Sequence, residues 1–282
     1  MTNYIYLLHG PCEGCYTEAA YSIATLMKWL DANSSRVIVF TDQPEKVKDW
    51  PVISESLVGR VESMYGKNGY THRAKACVIL KCFENYPGNV MFLDSDTFVR
   101  GDIVKLAGRL SPETAIMHAF ESQNPEIGLS GFHAKLAGEI TYRFTPDSRM
   151  YNSGVIGLHR DHRRVASLAL QLCDAILDFA TQIRTPQQFS LGEVLRISNI
   201  KILEARDVVV HYIGYKFYMH KKISEMARET GQPPWAFERQ IPYSPLGVYL
   251  LKKALAKRQR WMRTLERWFG FQFNPDHYRE LR

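Results

Sequence analysis

The 282 residues include 45% hydrophobic and 23% charged side chains, a balance that excludes disorder over most of the length and allows one sizeable α/β domain or two small ones. The formal net charge of +7 suits acidic partners such as phosphates, nucleic acid or anionic lipid, without choosing among them. The opening Met1-Thr2-Asn3-Tyr4 lacks the basic start and apolar run of a signal peptide. No run of about 18 apolar residues can span a membrane. The expected compartment is therefore the cytoplasm, where the five cysteines stay reduced.

In chain order, Tyr4 to Leu8 predicts a first strand. Cys12-Glu13-Gly14-Cys15 follows it and is expected as two thiols in a loop. It is half a zinc site with no second pair, and a redox role would require it to open a helix. Ala20, Ile23, Ala24, Met27 and Leu30 recur at helical spacing. Val37 to Phe40 predicts a second strand ending at Thr41-Asp42. Ala74 to Phe83 predicts a helix closed by the turn cluster Tyr86-Pro87-Gly88-Asn89, and Val90 to Leu93 a buried strand. Such alternation predicts a mostly parallel sheet covered by helices. Further strands are expected at Ala115 to Met117, Val155 to Leu158 and Val208 to Val210, and helices at Val165 to Phe179 and Gln187 to Leu195.

Beyond Pro245 the character changes. Leu251, Leu255, Met262, Leu265 and Phe269 fall on one helical face, and Lys252, Lys253, Lys257, Arg258, Arg260, Arg263 and Arg267 crowd the rest. The expected division is a main domain over 1–245 and a basic amphipathic tail over 246–282. The tail either lies on anionic membrane, holding the protein peripherally at its inner face, or packs its apolar stripe on the main domain.

Asp94-Ser95-Asp96 follows the apolar strand directly. Ligands of open α/β sheets bind beyond the carboxyl ends of strands. Residues i and i+2 of an extended segment face one side, so both carboxylates are expected to meet at one point. Two carboxylates so close repel unless a cation lies between them, and oxygen ligands suit Mg²⁺ or Mn²⁺. His211, ending the run Val208-Val209-Val210, offers an imidazole as third ligand. Gly214 would let backbone approach a phosphate, and Lys216 would supply a point charge.

Phe92-Leu93-Asp94-Ser95-Asp96-Thr97 resembles the DxD motif of GT-A glycosyltransferases. Tyr151-Asn152-Ser153-Gly154-Val155 resembles the FNxG segment of family 8, the retaining galactosyltransferase and glycogenin-like enzymes. Gln187-Gln188 stands where that family has Asp-Gln, and His211-Tyr212-Ile213-Gly214-Tyr215-Lys216 is similar to its HxxGxxK motif with one residue fewer before the lysine. The four motifs occur in order over residues 3 to 220.

The resemblance implies an α/β GT-A fold, a Rossmann-like mixed sheet flanked by helices. It implies Mn²⁺ or Mg²⁺ on Asp94, Asp96 and His211, and a nucleotide-diphosphate sugar, a UDP-sugar, as donor. Asn152 and Gln188 would face sugar and acceptor, and Ser95, Gly214 and Lys216 the donor. Arg73 and Lys75 either contact the donor or are solvated charges at a helix start. His9, Gly10, Thr41 and Asp42 stand at strand ends, where the base and ribose would bind. The implied partners are the nucleotide sugar and a glycan or lipid-linked acceptor, with no nucleic acid.

Departure of a nucleoside diphosphate needs stabilisation of the charge growing on its oxygens. An inverting reaction would need a general base, for which Asp147, Asp161 and Glu193 all stand open. A retaining one can use same-face attack above Gln188. Two other readings compete. A sugar-phosphate nucleotidyltransferase would want a basic glycine-rich loop after the first strand, where His9-Gly10-Pro11-Cys12-Glu13-Gly14 has no lysine or arginine. A non-catalytic basic module binding membrane or nucleic acid would leave the acidic motif unexplained.

Overall fold

The computed structural model of the chain describes residues 1–123, 128–138, 140–179 and 185–242, and in the tail 253, 257, 258, 260–262, 264, 265 and 268. Of the expected tail stripe, Leu251, Leu255, Phe269, Lys252, Arg263 and Arg267 lie outside these residues. The chain forms two compact units, Met1–His211 and Tyr212–Arg282.

The first unit runs β1 (Thr2–Leu8), α1 (Glu13–Met27), β2 (Ser35–Thr41), β3 (Ile53–Ser56), α2 (Val61–Met64), α3 (Arg73–Asn85), β4 (Asn89–Leu93), β5 (Thr97–Val99), α4 (Ile103–Ala107), β6 (Thr114–Gln123), β7 (His133–Leu136), β8 (Ile140–Arg143), β9 (Arg149–Leu158), α5 (Arg163–Phe179), α6 (Pro186–Ile197), β10 (Lys201–Glu204) and β11 (Val209–His211). Seven strands form one sheet in the order β10-β6-β9-β4-β1-β2-β3. The β3-β2-β1-β4 half is parallel, as the alternation predicts. β9 departs from it and runs antiparallel to both β4 and β6, so the sheet is mixed.

Two-residue alternation builds a core on each face of this sheet. Tyr4, Tyr6 and Leu8 of β1, Val37 and Val39 of β2, and Met91 and Leu93 of β4 pack with Tyr16, Ile23 and Leu26 of α1 and with α4. Ile5, Ile38, Phe40, Val90 and Phe92 point the other way, onto α3, α5 and α6. Central strands buried on both faces need apolar residues at every position, which is why Val90-Met91-Phe92-Leu93 is a continuous run. The hairpin β7–β8, inserted between β6 and β9, adds Ala134, Leu136 and Tyr142 to the second core.

Cys12 and Cys15 are not a pair of loop thiols. They are disulfide-linked with Cα atoms 5.4 Å apart, and Cys12 caps the first turn of α1. Helix formation from Glu13 onward brings residues three apart onto one turn, which the loop expectation had not included. Cys77, Cys82 and Cys173 are free.

The second unit contains α7 (Lys216–Thr230), closed by Gly231 in the left-handed region at φ 66°. Its described tail residues include exposed Lys253, Lys257, Arg258, Arg260, Trp261 and Trp268, with Met262 buried. Among the described residues no helix is long and apolar enough to cross a membrane.

Candidate metal centre

β4 ends at Leu93, and Asp94, Ser95 and Asp96 form a turn into β5. The two carboxylates therefore do not converge by strand alternation, as expected from the i, i+2 spacing. A turn at Ser95 and Asp96 separates them. Thr97 Oγ1 donates to the Asp94 carbonyl at 2.7 Å and closes the turn. Thr97 Oγ1 also meets Ser22 Oγ at 3.0 Å, and Ser22 Oγ meets Tyr6 OH at 2.9 Å. This buried chain of hydroxyls ties the turn to α1 and β1. Thr25 Oγ1 accepts from Val99 N–H at 2.9 Å and secures β5 to the same helix.

β5 pairs antiparallel with β11, placing His211 opposite Thr97. His211 Nε2 lies 3.1 Å from Asp96 Oδ1 and 3.8 Å from Asp94 Oδ2. One ligand atom from each of Asp94, Asp96 and His211 lies within 4.8 Å of the others. Two hard oxygens and one imidazole nitrogen, mutually spaced like neighbours on one coordination sphere, fit a divalent ion such as Mn²⁺ or Mg²⁺. Lys75, 8% exposed, holds Asp94 with its ammonium at 2.7 Å.

The segment Tyr151-Asn152-Ser153-Gly154 braces this cluster residue by residue. Gly154 C=O accepts from Asp94 N–H at 2.9 Å. A Cβ at Gly154 would collide with the His211 ring, so only glycine lets imidazole and backbone approach this closely. Asn152 Oδ1 accepts from Gly154 N–H at 2.9 Å and from His211 Nδ1 at 2.9 Å. Asn152 thus holds the imidazole ring by its Nδ1 side and turns Nε2 toward the aspartates, the orientation a metal ligand needs. Ser153 Oγ donates to Gln187 Oε1 at 3.3 Å. The edge of the His118 ring packs on His211 at 5.3 Å between centroids, with His118 Nε2 on the Val209 carbonyl at 3.2 Å.

Beyond β1 and β2, Gly10 at φ 74° donates its N–H to Asp42 Oδ1 and Oδ2 at 3.2 and 3.0 Å. Gln43 Nε2 donates to the Gly10 carbonyl at 2.6 Å. His9 Nδ1 meets Tyr65 OH at 2.9 Å. Burial pushes the His9 pKa down, partly offset by Asp42, so the ring is neutral at pH 7.

The remaining candidates lie as follows. Thr41 is fully buried, its hydroxyl held by Tyr16 OH and Gln43 N–H at 3.0 Å each. Arg73 grips Asp174 of α5 through two bonds of 2.6 and 2.8 Å and the Met64 carbonyl at 2.9 Å, so its guanidinium is committed away from the aspartates. Ser95 Oγ donates to the buried Glu18 at 3.3 Å. Gly214 sits in the turn Ile213–Tyr215 and Lys216 opens α7, both in the second unit.

Two functional neighbours were invisible in the sequence. Glu121 of β6 accepts from Asn152 Nδ2 at 2.9 Å and from Gln188 Nε2 at 2.8 Å, joining the two amides. No spacing marks it, because it reaches them through a sheet irregularity. Gly154 has no side chain to suggest a contact, yet its backbone meets both Asp94 and the His211 ring.

No protein-family model matches the sequence, and no curated protein matches it. Solved structures that resemble the chain include mouse xyloside xylosyltransferase 1 in its apo form, at 12% identity and a TM-score of 0.47, covering 73% of this chain and 86% of that one. Another is the WbbM bifunctional glycosyltransferase, apo, at 12% identity and a TM-score of 0.45, covering 72% of this chain and 39% of that one.

Proposed function

We propose that the chain is a metal-dependent glycosyltransferase that takes a sugar from a nucleoside-diphosphate donor, a UDP-sugar first among them, and passes it to a glycan or lipid-linked acceptor. The observation that carries this reading is the convergence of Asp94, Asp96 and His211 beyond the carboxyl end of β4, braced by Asn152. Asp94, Asp96 and His211 would hold Mn²⁺ or Mg²⁺, which when bound would supply positive charge to a leaving diphosphate.

The chain's own groups do the rest. Asp94 and Asp96 supply carboxylate oxygens and His211 its Nε2. Lys75 adds a cation beside Asp94. Gly10 holds Asp42 at the end of β2, leaving its other lone pairs for ribose hydroxyls. Neutral His9 offers a hydrogen bond to a base. Gly214 and Lys216 keep a phosphate-facing role on the sequence resemblance alone. Gln188 lies under the sugar, and same-face attack with retention is the course we propose. Of the three acids left open as a general base, Glu193 is fully buried and held by Tyr142, Ser148, Arg149 N–H and Arg196. That speaks against it as a base.

A thermal-shift screen of nucleotide sugars with and without Mn²⁺ tests the reading, since a ligand of the native state raises the melting temperature. Stabilisation by a nucleotide sugar only when Mn²⁺ is present is expected. Full transfer activity in excess chelator would sink it.

We further propose that the tail over 246–282 docks on anionic membrane. Trp261 and Trp268 are 60% and 73% exposed, near exposed Lys257 and Arg260 in sequence. Aromatic rings suit the headgroup region, and each basic residue there adds about 1 kcal/mol. The full chain should sediment with anionic liposomes at low salt and release as salt rises. Indifference to them at low salt would remove the claim.

A further inference from the structure

Glu121 occupies an unusual place in β6. The strand pairs with β9 as Phe120 opposite Tyr151 and then Ser122 opposite Met150, so Glu121 has no partner of its own. It is the extra residue of a β-bulge. Bulges interrupt two-residue alternation and re-aim a side chain, and they concentrate beside active sites. Here the re-aimed carboxylate takes Asn152 Nδ2–H on Oε1 at 2.9 Å and Gln188 Nε2–H on Oε2 at 2.8 Å. One amide comes from β9 and the other from α6, and Glu121 bridges them.

A carboxylate is an acceptor only. Both amides must therefore present their NH₂ ends to Glu121, which fixes where their carbonyl oxygens point. For Asn152 the consequence is on the page: its Oδ1 faces His211 Nδ1 and Gly154 N–H. That contact is a hydrogen bond from Nδ1–H, and it holds the ring with Nε2 toward Asp96. For Gln188, the oxygen is turned away from Glu121.

We propose that Glu121 is a positioning residue of this site: it sets the amide orientation of Asn152 and Gln188 and, through Asn152, the orientation of the His211 ring. The inference rests on the reading of Asp94, Asp96 and His211 as metal ligands and of Gln188 as the sugar-facing amide. Glu121 transfers no proton in this role. It holds two dipoles and one ring in the orientation the chemistry needs before any substrate arrives.

The test compares wild type with Glu121→Gln and Glu121→Asp. The glutamine variant offers one acceptor and one NH₂ end, so it cannot satisfy both amides. The aspartate variant keeps two acceptor oxygens. NMR of the imidazole N–H protons in the metal-free protein reads the His211 Nδ1–H bond to Asn152 directly. Wild type should show a slowly exchanging Nδ1 proton, and Glu121→Gln a faster-exchanging one, because its Asn152 amide is no longer held in one orientation. A Mn²⁺ titration without nucleotide should weaken roughly 10- to 100-fold in Glu121→Gln, the usual cost of losing such a supporting group. The aspartate variant should recover part of that loss. With an active donor, kcat should fall by a similar factor while the pH–rate profile keeps its shape.

An unchanged Nδ1 proton exchange and Mn²⁺ affinity in Glu121→Gln would overturn the proposal. So would loss of the acidic limb of the pH–rate profile with intact Mn²⁺ affinity, because that would make Glu121 a proton acceptor. Should the wild type ignore Mn²⁺ altogether, the metal reading fails by itself. The NMR arm, which needs neither metal nor donor, still decides Glu121.

Discussion

Two groups of acids in this molecule are built on opposite plans. Glu193 on α6 is fully buried, yet every lone pair it needs is engaged: Tyr142 OH at 2.9 Å, Ser148 Oγ at 2.8 Å, Arg149 N–H at 2.9 Å and two arms of Arg196 at 2.9 Å. It fastens α6 to the start of β9, and its network is closed. Asp94 and Asp96 are instead gathered with His211 around a common point, where their like charges oppose each other. Lys75 pairs with Asp94, and His211 Nε2 lies 3.1 Å from Asp96. A closed network serves the fold, while a cluster that assembles like charges stores a demand for a cation.

The contrast is sharpest when one acid is removed from each region. Asp96→Ala should cost transfer activity about 10³-fold, several kcal/mol of transition-state stabilisation. Its unfolding midpoint in metal-free buffer should change little, because relief of the repulsion with Asp94 offsets the lost contact with His211. Urea unfolding beside Mn²⁺-dependent initial rates reads both. A large drop in stability with normal activity would reverse the assignment.

Glu193→Gln should do the opposite. An NH₂ end would face donors, and Arg196 would lose its counter-charge. Arg196 is 28% exposed, so water covers part of that loss and the cost falls near the low end of about 3–5 kcal/mol. Urea unfolding measures it, and a Mn²⁺ titration of the folded variant should match wild type.

Gly154→Ala probes the brace between the Asp94 and His211 segments. The added methyl group would meet the His211 ring, and moving the ring breaks its bonds to Asn152 and Asp96. Mn²⁺ affinity should weaken roughly 10- to 100-fold. Overpacking should cost about 1–3 kcal/mol of stability. Wild-type Mn²⁺ binding in this variant would mean that the ring does not need its present position.

The same contrast explains what could be read from the residues alone. The parallel half of the sheet was legible because β1, β2 and β4 are buried on both faces and so are written as apolar runs. Asp94 and Asp96 were legible as residues directly after such a run, but their convergence was attributed to strand alternation when a turn produces it. β5 and β11 are three residues each, too short to show any period, so the pairing that delivers His211 could not be drawn. Arg73 and Thr41 occupied the right strand ends or helix starts, yet Asp174 and Tyr16 claim their polar groups. Position along an element is written in local sequence, whereas the partner a side chain chooses is set by distant segments. Glu121 is the extreme case, since a bulge is a property of two strands and neither sequence shows it.

The smallest effect concerns protons on the closed side of the comparison. His162 is 3% exposed. Its Nδ1 accepts from His159 N–H at 3.2 Å, and its Nε2 donates to the Pro112 carbonyl at 2.9 Å. Adding a proton at Nδ1 would break the first of these bonds. Burial pushes the His162 pKa below its ordinary value of 6.5, against a smaller upward pull from the Pro112 carbonyl. Burial moves His9 and His118 the same way. The unfolded chain then binds more protons than the folded one just below pH 6.5, so stability is complete above that value and declines as pH falls through the folded pKa. In chelator-treated protein the melting temperature should therefore drop between neutral pH and mild acid. His162→Gln cannot titrate, so it should start less stable but show a shallower drop. Equal slopes for the two proteins would mean that the fold admits a charged ring at this site, and that the network around His162 is less closed than the one around Glu193.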